Sequence, residues 1–239
     1  MNHFIYYVKK PFVVLSHWRV HMENLRRNTI LRFQVICECM NDSDREKIEV
    51  GRYLCRHKMT FLPYDYPERA GRKKIRVYRD EDGYPYVIRN NHRLYYKKDW
   101  SEKRCQQNYN NLQLEQDTGS PHAYILNDRR KPCAEDVVAD LGAAEGIFGL
   151  DVVETVKKLY LFEGDSDWIE PLKRTFRPWT DKVTIVSKYI GNQDDGRYST
   201  LDTYFKDCDI TYLKADIEGA EEAMFLGGGE HLKRSSGWR

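Results

Sequence analysis

The apolar positions of this chain change their rhythm twice. Over residues 1–60 they recur at an untidy helical spacing in a basic background: Leu25, Ile30, Leu31, Phe33, Val35 and Ile36. An Asp42-Ser43-Asp44 turn and cap signal follows, then Ile48, Tyr53, Leu54 and His57 on one helical face as far as Met59. Thr60–Pro67 sets two prolines among aromatics and predicts an extended break. Between 74 and 97 the spacing shortens. Ile75, Val77 and Tyr78, then Tyr84–Ile88, then Arg93–Tyr96 read as strands, joined by turns at Asp80–Gly83 and Asn90-Asn91. They predict a small antiparallel meander. Asp99–Thr118 reads as a mostly polar helix, capped by Asp99 and stopped ahead of Pro121.

From Glu135 onward short apolar runs alternate with helical patterns. Val137–Leu141, Leu159–Glu163, Lys182–Val186 and Ile210–Ala215 read as strands. Between them lie helices at Ile147–Lys158, Asp167–Thr175 and Thr200–Phe205, with a polar loop at Gly191–Gly196, and Glu218–Leu232 closes the pattern as a helix. Alternation of this kind predicts an α/β fold, a Rossmann-like doubly wound parallel sheet with an N-terminal α+β extension. The expected division is a helical and small-sheet region over 1–118 and a ligand-binding domain over 119–239.

Composition narrows the partners. The chain has 239 residues, 41% of them hydrophobic, which suffices for one large domain or two small ones. Charged residues reach 32% but nearly cancel at +2, whereas a nucleic-acid binder usually carries a basic excess. The Tyr and Arg content of 74–97 suggests base stacking, but Tyr is a strong strand former and acids are interleaved throughout, so no nucleic-acid partner is expected. The six cysteines show no zinc spacing, so reduced thiols and no metal site are expected. No run approaches the ~18 apolar residues of a membrane helix. Pro11–Leu15 is shorter than a signal-peptide core. A cytoplasmic protein without membrane partners is expected; the oligomeric state is left open.

The chemistry gathers around VVADLGAAEGIFG, Val137–Gly149. A strand ends at an acid, Asp140, and breaks into a turn where Gly142 and Gly146 remove side chains beside a ligand. Glu163 closes the next strand 23 positions after Asp140, where an acid accepts hydrogen bonds from ribose hydroxyls. A pyrophosphate prefers a helix start free of carboxylates. Here Asp140 precedes the turn and Glu145 sits inside it, which favours a ligand with a cationic part. S-adenosylmethionine fits, with its ammonium, its sulfonium and no phosphate. An NAD-dependent dehydrogenase is disfavoured, because the turn lacks G-x-G-x-x-G. LKADIEGAEEAMFLGGGEHL places Asp216 and Glu218 at the end of the fourth strand, beside the first strand and facing the reactive end of the ligand.

DLGAAEGIF, LFEGD, STLDTYF at Ser199–Phe205 and LKADIEGAE occur here in the order and spacing of the FkbM-type methyltransferase family, which the stretch Glu115–Leu232 resembles. SPH at Ser120–His122 is similar to a further family element. The resemblance implies a class I, S-adenosylmethionine-dependent O-methyltransferase acting on a hydroxyl of a glycan, polyketide or other small molecule. It implies cofactor contacts from Asp140, Gly142, Ala143, Gly146, Glu163 and Gly164. Asp216 is then the first candidate for the base that removes the acceptor proton and His122 the second, with Glu218 near the methyl group or acceptor. The commonest family form has Asn inside the glycine turn, where this chain has Ala144-Glu145.

A full sheet of that class has seven strands, and four are visible here. The expectation is therefore an incomplete methyltransferase domain: a cofactor half-site with weak or absent catalysis by the chain as it stands. The alternative is a catalytically inactive fragment or interaction domain that keeps the fold.

Overall fold

A computed structural model describes residues 22–59, 75–117, 120, 123–125 and 131–234. The predicted break at 60–67 lies outside the described residues. The chain divides into two compact units, Met1–Arg69 and Ala70–Arg239.

Of the helical reading over 1–60, residues 1–21 lie outside the described residues, and the rest forms two helices, α1 (residues 22–40) and α2 (Arg45–Arg56). The Asp44 carboxylate accepts the Glu46 N–H at 2.8 Å and starts α2, as the cap signal predicts. Gly51 permits close packing, since a Cβ there would lie 2.9 Å from Cys39 Cβ. Arg32 of α1 donates to the carbonyls of Leu54 and Cys55, at 2.8 and 3.2 Å.

The second unit begins with the meander: β1 (Tyr78–Arg79), β2 (Pro85–Arg89) and β3 (His92–Tyr95), antiparallel in that order. Asn90 and Asn91 adopt φ of 50° and 66°, the left-handed pair that a tight two-residue hairpin needs. Helix α3 (Glu102–Glu115) follows. Its cap is Ser101, not Asp99; the Ser101 hydroxyl accepts the Arg104 N–H at 3.2 Å.

The central sheet contains β4 (Val137–Leu141), β5 (Lys158–Phe162), β6 (Val183–Val186) and β9 (Tyr212–Ala215), all parallel, in the order β6-β5-β4-β9. A separate parallel pair, β7 (Tyr189–Ile190) and β8 (Tyr198–Ser199), flanks the polar loop at 191–196. Alternate residues feed two cores, the signature of a sheet covered on both faces. Val138, Leu159 and Leu161 pack on one side with Phe148, Trp168, Leu172 and Phe176. Ala139, Leu141, Tyr160 and Phe162 pack on the other with Leu201, Phe205, Ile210 and Met224. This is the doubly wound, Rossmann-like arrangement.

The first of these cores also contains Val87, Leu94, Tyr96 and Trp100 of the meander region. Arg89 forms a two-pronged pair with Asp151 at 2.6 and 2.5 Å, and Lys97 pairs with Asp165 at 2.5 Å. Arg174 reaches Asp80 and Asp82 at 2.5 and 2.8 Å. Meander and sheet thus share one core within the second unit, Ala70–Arg239.

Two helices are shorter than their apolar spacing suggests. The predicted helix 147–158 is α4 (Ile147–Val152), followed by a turn in which the Asp136 carbonyl accepts from Lys157 and Lys158 N–H groups. Val153 and Val156 are buried by that turn, so burial at helical spacing did not require helix. α5 (Ser166–Thr175) follows β5, and α6 (Leu201–Tyr204) starts at Thr200 as expected. The predicted helix 218–232 is split into α7 (Glu221–Leu226) and α8 (Gly229–Arg234). Gly227 marks the break because the backbone of 191–192 crosses there; a Cβ would lie 2.0 Å from the Gly191 carbonyl oxygen. No helix of the described residues is long and apolar enough to cross a membrane.

Candidate functional site

Strand order reverses at β4: its sequence successor β5 lies on one side and β9 on the other. Open α/β sheets bind ligands at such a switch point, beyond the carboxyl ends of the strands. A cavity of about 430 Å³ lies there, in the size range of small-molecule sites. Apolar walls come from Ile147, Phe148, Phe162, Tyr189 and Ile190.

The turn after β4 is tied to β5. The Phe162 carbonyl accepts the N–H groups of both Gly142 and Ala143 at 3.0 Å. The Glu163 carboxylate accepts the Ala144 N–H through one oxygen and the Asp165 N–H through the other, each at 2.8 Å. A carboxylate has about four lone-pair sites. Two are used by the backbone, so Glu163 keeps two more. Asp165 in turn caps α5 by accepting the Asp167 N–H. Its neighbour Lys97 holds the Asp165 carboxyl below the usual range.

The glycines of the turn also serve protein packing. At Gly142, φ is +75° and a Cβ would lie 2.1 Å from the Asp216 carbonyl oxygen. At Gly146, φ is +85° and a Cβ would meet Phe176 and Leu172 at 2.7 and 2.8 Å. Gly164 lies beneath the Tyr189 ring.

Asp140 does not line the cavity. It is fully buried, and β4 and β9 are registered so that Asp140 lies opposite Lys214. The Lys214 Nζ is 2.9 Å from Asp140 Oδ1 and donates to the Gly142 carbonyl at 2.9 Å. The pair is close but off the alignment of a good hydrogen bond, since neither Asp140 oxygen has a hydrogen-bond partner among the described residues. Burial pushes the Asp140 carboxyl up, and the Lys214 ammonium opposes that shift. Lys214 also lies over the Tyr124 ring, 4.8 Å from its centre.

Of the remaining predicted residues, Gly142, Ala143, Glu163, Gly164, Asp216 and Glu218 line the cavity, and Gly146 lies behind it. Asp216 and Glu218 are exposed. The Tyr124 hydroxyl donates to Asp216 Oδ2 at 2.6 Å, and burial together with Asp216 raises the Tyr124 hydroxyl above its ordinary range. His122 lies outside the described residues. Two non-glycine residues that line the cavity have left-handed backbones, Ala144 (φ 48°) and Glu218 (φ 56°). Strain of this kind concentrates at functional sites.

Sequence reasoning passed over Lys214 and Tyr124 as site residues. Lys214 had a usable signal, a base near the end of one strand beside a strand that ends in an acid. Tyr124 had none, because the short apolar stretch around it has no period.

No protein-family model matches the chain, and no curated protein matches it. Among solved structures, the chain is similar to methyltransferase FkbM from Methylobacillus flagellatus KT, at 19% identity over 58% of this chain and 43% of that one, with a TM-score of 0.42. It is similar to precorrin 8w decarboxylase from Methanobacterium thermoautotrophicum, at 18% identity over 44% of this chain and 52% of that one, TM-score 0.33. A third is a tRNA methyltransferase from M. jannaschii, at 17% identity over 54% of this chain and 38% of that one, TM-score 0.29. The chain thus spans about half or less of the length of the structures it matches.

Proposed function

We propose that the cavity binds S-adenosylmethionine and that the chain carries the cofactor site of an O-methyltransferase acting on a hydroxyl of a glycan, polyketide or other small acceptor. One observation carries the choice of cofactor. The Glu145 carboxyl lies inside the turn directly before α4, 5% exposed and lining the cavity. The helix end that a pyrophosphate would need is already taken by an acid. A phosphate-free, positively charged cofactor fits the same place. The residues suit it otherwise: Glu163 retains acceptor capacity for ribose hydroxyls, and apolar walls flank it. The sequence resemblance at DLGAAEGIF and LKADIEGAE supports the reading.

When bound, S-adenosylmethionine supplies a methyl group on a sulfonium. What remains for the chain is to align the acceptor oxygen and to remove its proton. Asp216 suits the proton removal, because it is exposed at the cavity rim, and Tyr124 fixes one carboxylate oxygen and leaves the other for the acceptor hydroxyl. Glu218 lies at the same rim.

Titration calorimetry with S-adenosylmethionine tests the cofactor. Saturable heat at micromolar to millimolar ligand is expected, and none with NAD; absence of heat at millimolar S-adenosylmethionine overturns the proposal. Transfer of a labelled methyl group to hydroxylated acceptors then separates an enzyme from a binding domain that keeps the fold.

A further inference from the structure

Six acids line or underlie the cavity; Glu218 is exposed, Glu115 is half-buried and has a partner, and three more are engaged within the fold. Asp140 is sealed from the cavity and ion-paired with Lys214. Glu163 holds two backbone N–H groups and is placed for ribose hydroxyls. Asp216 is exposed and accepts the Tyr124 hydroxyl. Glu145 differs from all of them. It lines the cavity and is only 5% exposed. No ion pair to it is present among the described residues, because the near cation, Lys214, is bound to Asp140 and Gly142. A buried carboxyl that faces a cavity without a cation of its own is complementary to a cation arriving in the ligand.

We propose that Glu145 is the specificity-determining carboxyl of this cavity, receiving the positively charged part of the ligand in place of the buried Asp140. The proposal rests on the S-adenosylmethionine reading above and names the residue that selects the charge. The groups facing Glu145 are Asp140 from β4, Lys214 from β9, Tyr96 beyond β3 and Tyr124 across the cavity. The first two act on it in opposite directions. Burial pushes the Glu145 carboxyl up to about 7 in the free protein. A cation brought beside it favours the carboxylate, so binding drives Glu145 from acid to carboxylate and sends its proton to solvent. Affinity for a cationic ligand therefore rises with pH through neutrality, while a neutral ligand in the same cavity is indifferent to this group.

Calorimetry at pH 7 in buffers of different ionisation enthalpy counts the proton directly. S-adenosylmethionine is the cationic probe and adenosine the neutral one. The expected release is about half a proton per S-adenosylmethionine, the fraction of a group half-titrated near pH 7, and none for adenosine. Glu145→Gln should abolish the release and weaken S-adenosylmethionine about tenfold at pH 8, the weight of one hydrogen bond to a charged group. Adenosine affinity should stay within about twofold, which also shows that the variant keeps its cavity. Equal proton release by wild type and variant overturns the proposal, as does equal weakening of both ligands. If the wild-type chain binds neither ligand, the cofactor reading fails and Glu145 falls with it.

Discussion

Lys214→Met is the sharpest test of how this site is built. Lys214 and Asp140 side chains are 7% and 1% exposed, and they meet at 2.9 Å on adjacent parallel strands. Removing one partner of a buried ion pair costs about 3–5 kcal/mol, because the other charge is left uncompensated. The cost depends on pH in a definite direction. Burial already raises the Asp140 carboxyl, and loss of the ammonium removes the main opposing effect. In the variant, native Asp140 holds its proton at pH values where the unfolded chain has released it. The native state then binds more protons than the unfolded state, so stability falls as pH rises above the ordinary carboxylate range. Lys214→Met should therefore be mildly destabilised at pH 5 and strongly so at pH 8. Urea unfolding followed by tryptophan fluorescence reads this, with Trp100 and Trp168 buried in the second unit. Asp140→Asn combined with Lys214→Met removes both charges and should recover about 2 kcal/mol or more at pH 8 relative to Lys214→Met alone. A coupling below about 0.5 kcal/mol would refute the ion-pair account, since distant independent sites add to within that margin.

Two further substitutions test the backbone of the turn. Gly142→Ala should destabilise by about 2 kcal/mol or more, because φ is +75° and the new methyl would collide with the Asp216 carbonyl; a melting temperature equal to wild type contradicts this. Ala144→Asn should stabilise by about 0.5–1 kcal/mol, since Asn tolerates the left-handed φ of 48° better than Ala does, and a lowered denaturation midpoint would count against it.

The sheet was legible because each of its strands is a short apolar run bounded by turn residues. Their order around β4 followed from the doubly wound pattern. The meander was legible from Asn90-Asn91 and Asp80–Gly83, local signals that need no tertiary context. Helix lengths were less so: Val153 and Val156 keep helical spacing inside a turn, and Gly227 breaks a helix because a distant loop crosses it. At the site, the sequence brought Gly142, Ala143, Glu163, Gly164, Asp216 and Glu218 to one cavity. The packing role of the glycines was not legible, because the atoms that exclude a Cβ, the Asp216 carbonyl and the Phe176 ring, lie far along the chain. Asp140 likewise looked ligand-facing until the register with Lys214 placed it in the interior.

The aromatic knot of Tyr96, Trp100 and Trp168 has a practical consequence. Their rings stack and tilt against one another at 5.2–6.4 Å, with Tyr96 and Trp100 ahead of α3 and Trp168 behind β5. A fragment begun at residue 119 would carry Trp168 without its two ring partners, Asp151 and Asp165 without their counterions, and Arg174 with Glu170 as its one remaining acid of three. Such a piece would show a wet aromatic patch to its neighbours and tend to clump. The smallest piece worth expressing for ligand work begins near Ala70, where the compact unit itself begins.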